Sequence, residues 1–354
     1  MITLITARIR SKQPDIELLK KMELFCKTHS TWKTKTGPVL FVPRAVSSRF
    51  YTLIHYLAKP LIKRNKIKGA VLSLGFPYRP YFFSKTFPYF TRDADMRVLW
   101  TYDVWQPDYS RVERIVREGK VNLLLLSSHQ ATEHFSRLKI PDCTVEWVPE
   151  TINVSDYKHK PWNERNIDIL SFGRGWREYH DKIVEGCKEN KINYVWQRSS
   201  EDHDVAVHGL KKDLLFPEWT DFIAGLADTQ ICICFPRSIT HPQLAGNVST
   251  LTIRYLQAMA SKCLILGAAP LDIHYLLDYN PVVEVDWNDP AGQIRNILAH
   301  PAKWQALIEK NYETVSNLFH HRNAVQQIDK LICSQLENER EEFLNHAAYK
   351  KISL

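Results

Sequence analysis

Two segments in the second half of the chain carry residues suited to holding an anion. The first, residues 168–180, reads as a strand, a glycine-containing turn and a helix that begins near Glu178. A turn that leads into a helix presents free backbone N–H groups and the positive end of the helix dipole. Arg174 and Arg177 add planar, permanently charged donors that match phosphate oxygens. Together with Gly173, these residues predict a site for a diphosphate.

The second segment, residues 247–267, reads as a helix followed by a strand. Small polar residues precede the helix, and we predict that a Ser or Thr caps it. Arg254 and Gln257 then lie on neighbouring turns of one helix face, beside the end that favours anions. This segment therefore contributes a second set of predicted ligand-binding residues: Asn247, Ser249, Thr250, Arg254 and Gln257.

The familiar signatures of other enzyme classes do not occur in the sequence. It contains no GxxxxGK[ST] phosphate loop, no GxSxG elbow, no HExxH helix and no zinc-type spacing of Cys and His. We therefore expect no metal and no organic cofactor. The seven cysteines form no CxxC pair, which favours buried, reduced thiols and a cytoplasmic protein.

Charge is distributed unevenly along the 354 residues. Residues 1–150 contain 25 basic and 13 acidic side chains, whereas the remainder contains 22 and 26. No acidic residue occurs between Glu23 and Asp93, an interval with 13 Lys and Arg. This asymmetry indicates that the N-terminal half faces an anionic membrane, a polyanionic substrate or nucleic acid, with a solvated basic face as the alternative.

An aromatic segment, residues 76–92, follows a basic and apolar one, residues 50–69. Eight of the 17 residues in the segment 76–92 are aromatic and three are proline. Aromatic rings interleaved with cations suit a membrane interface or an oligosaccharide platform, and they can also stack nucleobases. A buried aromatic cluster within a large insertion, about residues 50–92, is the other interpretation.

Strands alternate with amphipathic stretches, which predicts an α/β protein with two parallel sheets. The expected domains are residues 1–150, residues 151–320 and a C-terminal helical segment, residues 321–354. The predicted strands are residues 2–7, 39–42, 69–74, 97–102, 122–127, 145–148, 167–172, 194–197, 231–235, 264–266 and 282–285. The predicted helices are residues 109–118, 179–190, 221–227, 302–319 and 322–344.

The order of these segments resembles that of the two-domain GT-B glycosyltransferases, and specifically the group like glycosyltransferase family four. Residues 148–153 resemble the family's interdomain linker, and residues 168–174 its strand ending in Gly-Arg. Residues 231–237 and 255–263 resemble its later strand and its Glu-Ala-Met-Ala helix. The similarity spans roughly residues 95–320 and implies two Rossmann-like domains that face a cleft.

The chain departs from this family at several positions that the family uses to bind its donor. Ser249 and Gln257 occupy the places of two glutamates eight positions apart, and the resemblance implies that Gln257 contacts ribose hydroxyls. Of the family's arginine–lysine pair, Arg174 matches the arginine, whereas Tyr179 stands in the place of the lysine. Arg177 or Lys182 is the candidate for the second cation.

The family's histidine over the donor sugar corresponds to Asp103, at the end of the strand in residues 96–105. A carboxylate there is a candidate general base for an inverting transfer. His129 and His134, after the next strand, are lesser candidates.

The resemblance implies a metal-independent, hexosyltransferase-like enzyme that moves a sugar from a nucleotide-diphosphate sugar to a glycan or lipid-linked acceptor. We expect a cytoplasmic protein held peripherally on the inner face of a membrane by anionic lipid, with nucleic acid as an unlikely partner. The alternatives are a nucleic-acid-associated binding protein and a sugar-nucleotide epimerase of the same architecture.

Overall fold

The computed structural model describes residues 1–6, 17–36, 67–76, 94–173, 175–196, 215–216 and 218–352, with side chains as far as residue 337. The chain divides into two compact units. The first comprises Met1–Arg10, Lys21–Pro149 and Arg322–Leu354, and the second Ser11–Lys20 and Glu150–His321. The C-terminal helix thus belongs to the first unit and does not stand alone, because the chain returns to that unit after residue 321.

The first unit is built on a six-stranded sheet in the order β2-β1-β3-β4-β5-β6, and every pair of neighbours is parallel. Its strands are β1 (Ile2–Thr6), β2 (Lys33–Thr36), β3 (Ile67–Gly75), β4 (Ala94–Thr101), β5 (Leu123–Leu126) and β6 (Thr144–Trp147). The helices described with it are α1 (Glu17–His29), which begins in the second unit, α2 (Tyr109–Gly119) and α3 (His129–Arg137).

Burial on both faces explains why the interior strand β5 of this sheet is continuously apolar. All four leucines of β5 are buried, as expected for a parallel strand covered on both sides. Helix α2 buries Val112, Ile115 and Val116, whose spacing puts them on one face. The helix ends where Lys120 adopts a left-handed conformation with φ 50°.

The second unit is built on a five-stranded parallel sheet in the order β11-β10-β9-β7-β8. Its strands are β7 (Ile167–Ser171), β8 (Tyr194–Trp196), β9 (Thr229–Cys234), β10 (Leu264–Gly267) and β11 (Val283–Glu284). Its longer helices are α4 (Arg177–Glu189), α5 (Trp219–Ala227), α6 (Ile253–Ala260), α7 (Pro290–Ala299) and α8 (Gln305–Asn317), and α9 (His321–Ile352) follows them.

Apolar side chains on alternate strand positions build two cores in this unit, one on each face of the sheet. Leu170 packs with the helix carrying Leu256, whereas its neighbour Ile169 packs on the opposite face with Ile183 and Ile294. On that second face, α4 and α7 approach each other so closely that a Cβ on Gly186 would lie 2.6 Å from the Cβ of Ala291.

The chain enters and leaves the second unit at adjacent places. The N–H of Ile152 donates to Phe319 O at 2.8 Å, and the N–H of His321 donates to Ile152 O at 2.9 Å. The Thr151 hydroxyl also bonds His321 Nδ1 at 3.0 Å. Burial, helped by His320, lowers the pKa of His321 to about 3, so its ring is neutral at physiological pH.

The described strands and helices agree with most of those predicted from the sequence, but β2 and the helices α1, α3 and α7 were not predicted. Strand β2 was not predicted because its Lys-Thr-Lys-Thr sequence lacks apolar residues, and it lies at the sheet edge where burial is smallest. The strand predicted at residues 39–42 lies outside the described residues. The helix predicted over residues 302–319 is shorter, since a 3₁₀ turn, Pro301–Lys303, precedes α8.

All seven cysteines are free thiols, and five of them are buried. Among the helices that the structure describes, none combines the length and the apolar composition that crossing a bilayer would require.

Candidate functional site

The strand order of the second sheet creates a crevice at the carboxyl ends of β7 and β9. From β7 the chain turns to β8 on one side, and from β9 it turns to β10 on the other, although β7 and β9 are neighbours. The connections therefore leave the sheet in opposite directions and separate above these two strands. Ligands of open α/β sheets bind at such a switch point.

Gly173 and Arg254, predicted from separate segments, meet at this switch point. Gly173 follows β7 and has φ 72°, a left-handed conformation that favours glycine. A Cβ there would lie 3.2 Å from Cδ of Arg254, so the arginine side chain packs directly on the glycine. The Arg254 guanidinium donates to Phe235 O, just after β9, at 3.1 Å.

The guanidinium of Arg254 also sets the electrostatics at the end of β9. Burial raises the pKa of the Cys234 thiol to about 12, and the positive charge of Arg254 opposes that rise. Arg254 is half-buried beside the crevice, and a guanidinium has five donors in a fork that matches carbonyl and oxyanion acceptors.

The N-terminus of α6 is capped by a carboxylate and not by a Ser or Thr, which corrects the prediction from the sequence. Thr252 occupies the N-cap position, but its side chain makes no capping bond. Instead Glu150, which is 4% exposed, accepts from the N–H of Ile253 at 2.8 Å. A negative charge suits the positive end of the helix, and here it comes from the linker more than a hundred residues upstream.

Ser249 and Thr250 are buried and bonded to the loop after β10. The Thr250 hydroxyl donates to Asp272 Oδ2 at 2.7 Å, and the N–H of Leu251 donates to the same oxygen at 3.0 Å. The Ser249 hydroxyl accepts from the N–H of Leu271 at 3.1 Å. These contacts join the segment before α6 to the loop after β10. Ser249 and Thr250 therefore fix the position of these two loops.

Gln257 is 3% exposed and its side-chain amide donates to the Tyr157 hydroxyl at 3.3 Å. Burial raises the pKa of Tyr157, so the phenol stays neutral and can exchange hydrogen bonds with the amide. Tyr157 also contacts Trp219 edge to face, with 6.1 Å between ring centroids.

Three predicted residues of the second unit remain: Arg177, Asn247 and Arg174. Arg177, the first residue of α4, is exposed and lies 3.6 Å from the Asp181 carboxylate. Asn247 is exposed on the segment that leads to α6. Arg174 lies outside the described residues.

In the first unit, Asp103 and His129 lie at the carboxyl ends of the adjacent strands β4 and β5. Asp103 is half-buried and has φ 54°, a left-handed conformation that is uncommon for a residue other than glycine. His129 is the first residue of α3, and its ring contacts Trp147 edge to face at 4.9 Å. His134 instead stacks on Tyr109 with 4.3 Å between centroids.

The described residues contain no group of three or more His, Cys, Asp or Glu side chains that could hold a metal ion.

Comparison with solved structures shows that the chain has the GT-B fold. Sucrose-phosphate synthase from Thermosynechococcus elongatus is 12% identical, with a TM-score of 0.59 over 95% of this chain and 99% of that one. HepE from Anabaena, in complex with UDP and glucose, is 11% identical, with a TM-score of 0.57 over 94% and 99%.

A UDP-N-acetylglucosamine 2-epimerase is also similar, at 13% identity and a TM-score of 0.52 over 92% of this chain and 93% of that one. No protein-family model matches the sequence, and neither does any curated protein. At such identities the likeness establishes the fold and leaves the activity to be argued from this chain's own residues.

Sequence reasoning overlooked three parts of the site: the capping role of Glu150, the Asp272 carboxylate and the Tyr157 hydroxyl. Each bonds a residue far away along the chain, and none belongs to a local pattern. Asp272 is fully buried within an apolar stretch, where its carboxylate accepts from the Thr250 hydroxyl and the N–H of Leu251.

We predict that Thr250→Val lowers the free energy of unfolding by about 1–3 kcal/mol, because it leaves a fully buried carboxylate oxygen of Asp272 short of a donor. Urea denaturation measures the change. Thr252→Val is the matched control, since the Thr252 hydroxyl has no hydrogen-bond partner. Equal stability of the two variants would contradict the structural role given to Thr250.

Proposed function

We propose that this protein is a glycosyltransferase that takes a sugar from a nucleotide-diphosphate sugar and moves it to a glycan or lipid-linked acceptor. The second unit binds the donor, with the diphosphate at the switch point between β7 and β9. The transferred group is a hexose-like sugar, and the reaction needs no metal.

The contact of Arg254 with Gly173 and with Phe235 O carries this proposal. It brings a permanent cation to the one crevice of the second sheet where the strand connections diverge. Because the glycine has no side chain, the Arg254 side chain can lie directly against the backbone at the end of β7. A diphosphate is the donor group that this combination suits best.

In this proposal, arginine side chains provide most of the stabilisation of the negative charge on the leaving diphosphate. The Glu150 carboxylate already occupies the N–H of Ile253, so the N-terminus of α6 offers less to an anion than a bare helix end would. Arg254 therefore acts together with Arg174 and Arg177, and with the N-terminus of α4. The complex of a similar structure, HepE, with UDP and glucose supports a nucleotide-sugar ligand.

We expect Arg254→Ala to weaken nucleotide-diphosphate binding by about 1.5–3 kcal/mol, the range for a hydrogen bond to a charged group. Calorimetry with UDP, GDP, ADP, CDP and dTDP measures the loss, and the parent nucleosides should bind unchanged. Arg174→Ala should behave alike. Arg295→Ala, which removes an exposed arginine of α7, is the control. Equal losses for nucleosides and diphosphates would contradict a phosphate contact.

Asp103 is the proposed general base for an inverting transfer. It lies at the carboxyl end of β4, the edge at which open parallel sheets present their functional groups. Its left-handed backbone, in a residue type that tolerates this conformation, is an uncommon feature of the kind that clusters at functional sites. His129, after the adjacent strand, is the second candidate.

We expect Asp103→Asn to reduce turnover about 10²–10⁴-fold and to leave donor affinity nearly unchanged, since it removes the proton acceptor and keeps the side-chain shape. Asp142→Asn is the matched control, because Asp142 is an exposed aspartate of the same unit with a similar φ of 58°. If Asp103→Asn keeps near-normal turnover, Asp103 is not the general base. His129, His134 or Glu150 would then be the candidates, or a retaining mechanism would be favoured.

A sugar-nucleotide epimerase is the second candidate function, and the similarity to a UDP-N-acetylglucosamine 2-epimerase favours it. The two activities differ in their products. A transferase releases the nucleoside diphosphate in proportion to acceptor glycosylated, whereas an epimerase yields an isomeric sugar without an acceptor. Product analysis by mass spectrometry and NMR distinguishes them.

The acceptor in this proposal is presented by a membrane or is itself an acidic glycan. Residues 24–92 contain 13 Lys and Arg and no acidic residue, with aromatic residues concentrated in residues 76–90. Each Lys or Arg close to an anionic membrane contributes roughly 1 kcal/mol, within about one Debye length of the surface. A peripheral enzyme at the inner face of the membrane would then meet a lipid-linked acceptor and a cytoplasmic donor.

We expect salt-sensitive binding to vesicles that contain anionic lipid, and weaker binding when Lys59, Lys63, Arg64, Lys66 and Lys68 are neutralised together. Flotation at several salt concentrations measures it. The control neutralises as many exposed cations of the second unit: Lys188, Lys191, Arg295, Lys303 and Lys310. Tight binding to DNA or RNA without vesicle binding would overturn the membrane proposal.

A further inference from the structure

The second sheet has a polar cavity at its amino edge, opposite to the edge that carries Gly173 and Arg254. Its volume is about 330 Å³, which falls in the range of small-molecule sites. The residues that matter to its chemistry are His159, Lys160, Trp162, Arg165, Lys262 and Glu309. We call this cavity the amino-edge pocket.

The parallel sheet itself brings these residues together. Arg165 lies two residues before β7, and Lys262 lies two residues before β10. Because the amino ends of parallel strands meet at one edge, two cations far apart in the sequence become neighbours there. Helix α8 closes the pocket with Ile308 and Glu309.

Arg165 is a buried cation whose hydrogen bonds go mainly to backbone carbonyls. It is 7% exposed, and its guanidinium donates to the carbonyls of Lys160 at 2.9 Å, Thr229 at 2.5 Å, Lys262 at 2.9 Å and Ser261 at 3.3 Å, and to the Cys263 thiol sulfur at 3.9 Å. These carbonyls fix the orientation of the guanidinium but leave its charge in place. A buried charge of this kind favours an anion nearby.

The other charged groups of the pocket leave an excess of positive charge. Lys262 pairs with Glu309 at 2.6 Å, and Lys160 pairs with Asp228 at 2.7 Å. Each lysine is thus paired with a carboxylate, whereas no carboxylate is paired with Arg165 among the ion pairs described for the pocket. Burial, and then the charges of Lys262 and Arg165, lower the pKa of His159, so its ring resists becoming a further cation.

We propose that the amino-edge pocket binds a small molecule that carries an oxyanion, a carboxylate or a phosphate, on a flat apolar body. The oxyanion lies among Arg165, Lys262 and His159, where it offsets the excess charge and gains charge-assisted hydrogen bonds. The apolar body lies against Trp162 and Ile308. This site is separate from the donor crevice, since the two occupy opposite edges of one sheet.

Phenyl phosphate, which joins a phosphate to an aromatic ring, is the probe that tests this proposal on the full chain, with benzoate as the carboxylate and phenol as the neutral comparison. By calorimetry we expect both anions to bind and phenol not to bind. Lys262→Gln should weaken the binding about tenfold, as for the loss of one hydrogen bond to a charged group. Lys262→Arg keeps the charge and should keep most of the affinity.

Lys310→Gln is the matched control for Lys262→Gln. Lys262 pairs with Glu309 and lies 4.7 Å from the ring centroid of Tyr312. Lys310 likewise pairs with a carboxylate, Asp278 at 3.4 Å, and lies over the ring of Tyr279, but it is outside the pocket. Arg254→Gln distinguishes the amino-edge pocket from the donor crevice at the opposite edge of the sheet, and it should leave binding of the two anions to the pocket unchanged. The proposal is overturned if neither anion binds at millimolar concentration, if Lys262→Gln binds as wild type does, or if only Arg254→Gln loses affinity.

Discussion

The second unit depends on one constraint, which is that β7 and β9 are hydrogen-bonded neighbours although the chain leaves them in opposite directions. The connections that follow β7 and β9 therefore diverge at the carboxyl ends of these strands. Gly173 and Phe235 are the residues that follow the two strands, and Arg254 spans them by packing on the first and bonding the carbonyl of the second. The crevice is thus a consequence of strand order, and the arginine gives it a charge.

Buried carboxylates hold the loops around that crevice in place. Glu150 caps α6 from the linker, and Asp272 binds the segment before α6 through Thr250 and Leu251. A buried carboxylate without donors would cost several kcal/mol, so each of these residues constrains the loops that supply its donors. The helix that carries Arg254 is therefore oriented by two acidic residues from other elements, the linker and the loop after β10.

The two edges of the second sheet serve different purposes because parallel strands have a direction. The carboxyl edge gathers the turns that follow strands, with a left-handed glycine and the starts of helices. The amino edge gathers the residues that precede strands, where Arg165 joins the starts of β7, β9 and β10 through backbone carbonyls. A cation that organises backbone in this way retains its charge, which is why the same edge suits an oxyanion.

The sequence by itself determined the alternation of strands and helices, the two parallel sheets and the segments that contain Gly173 and Arg254, because apolar periodicity and glycine turns are local signals. It could not reveal that a distant carboxylate, Glu150, caps α6, or that Thr250 binds Asp272, since each contact joins residues on different elements. It also could not reveal the edge strand β2, whose sequence is polar, or the return of α9 to the first unit. Only the tertiary structure decided these features, because long-range packing selects which polar groups are buried together.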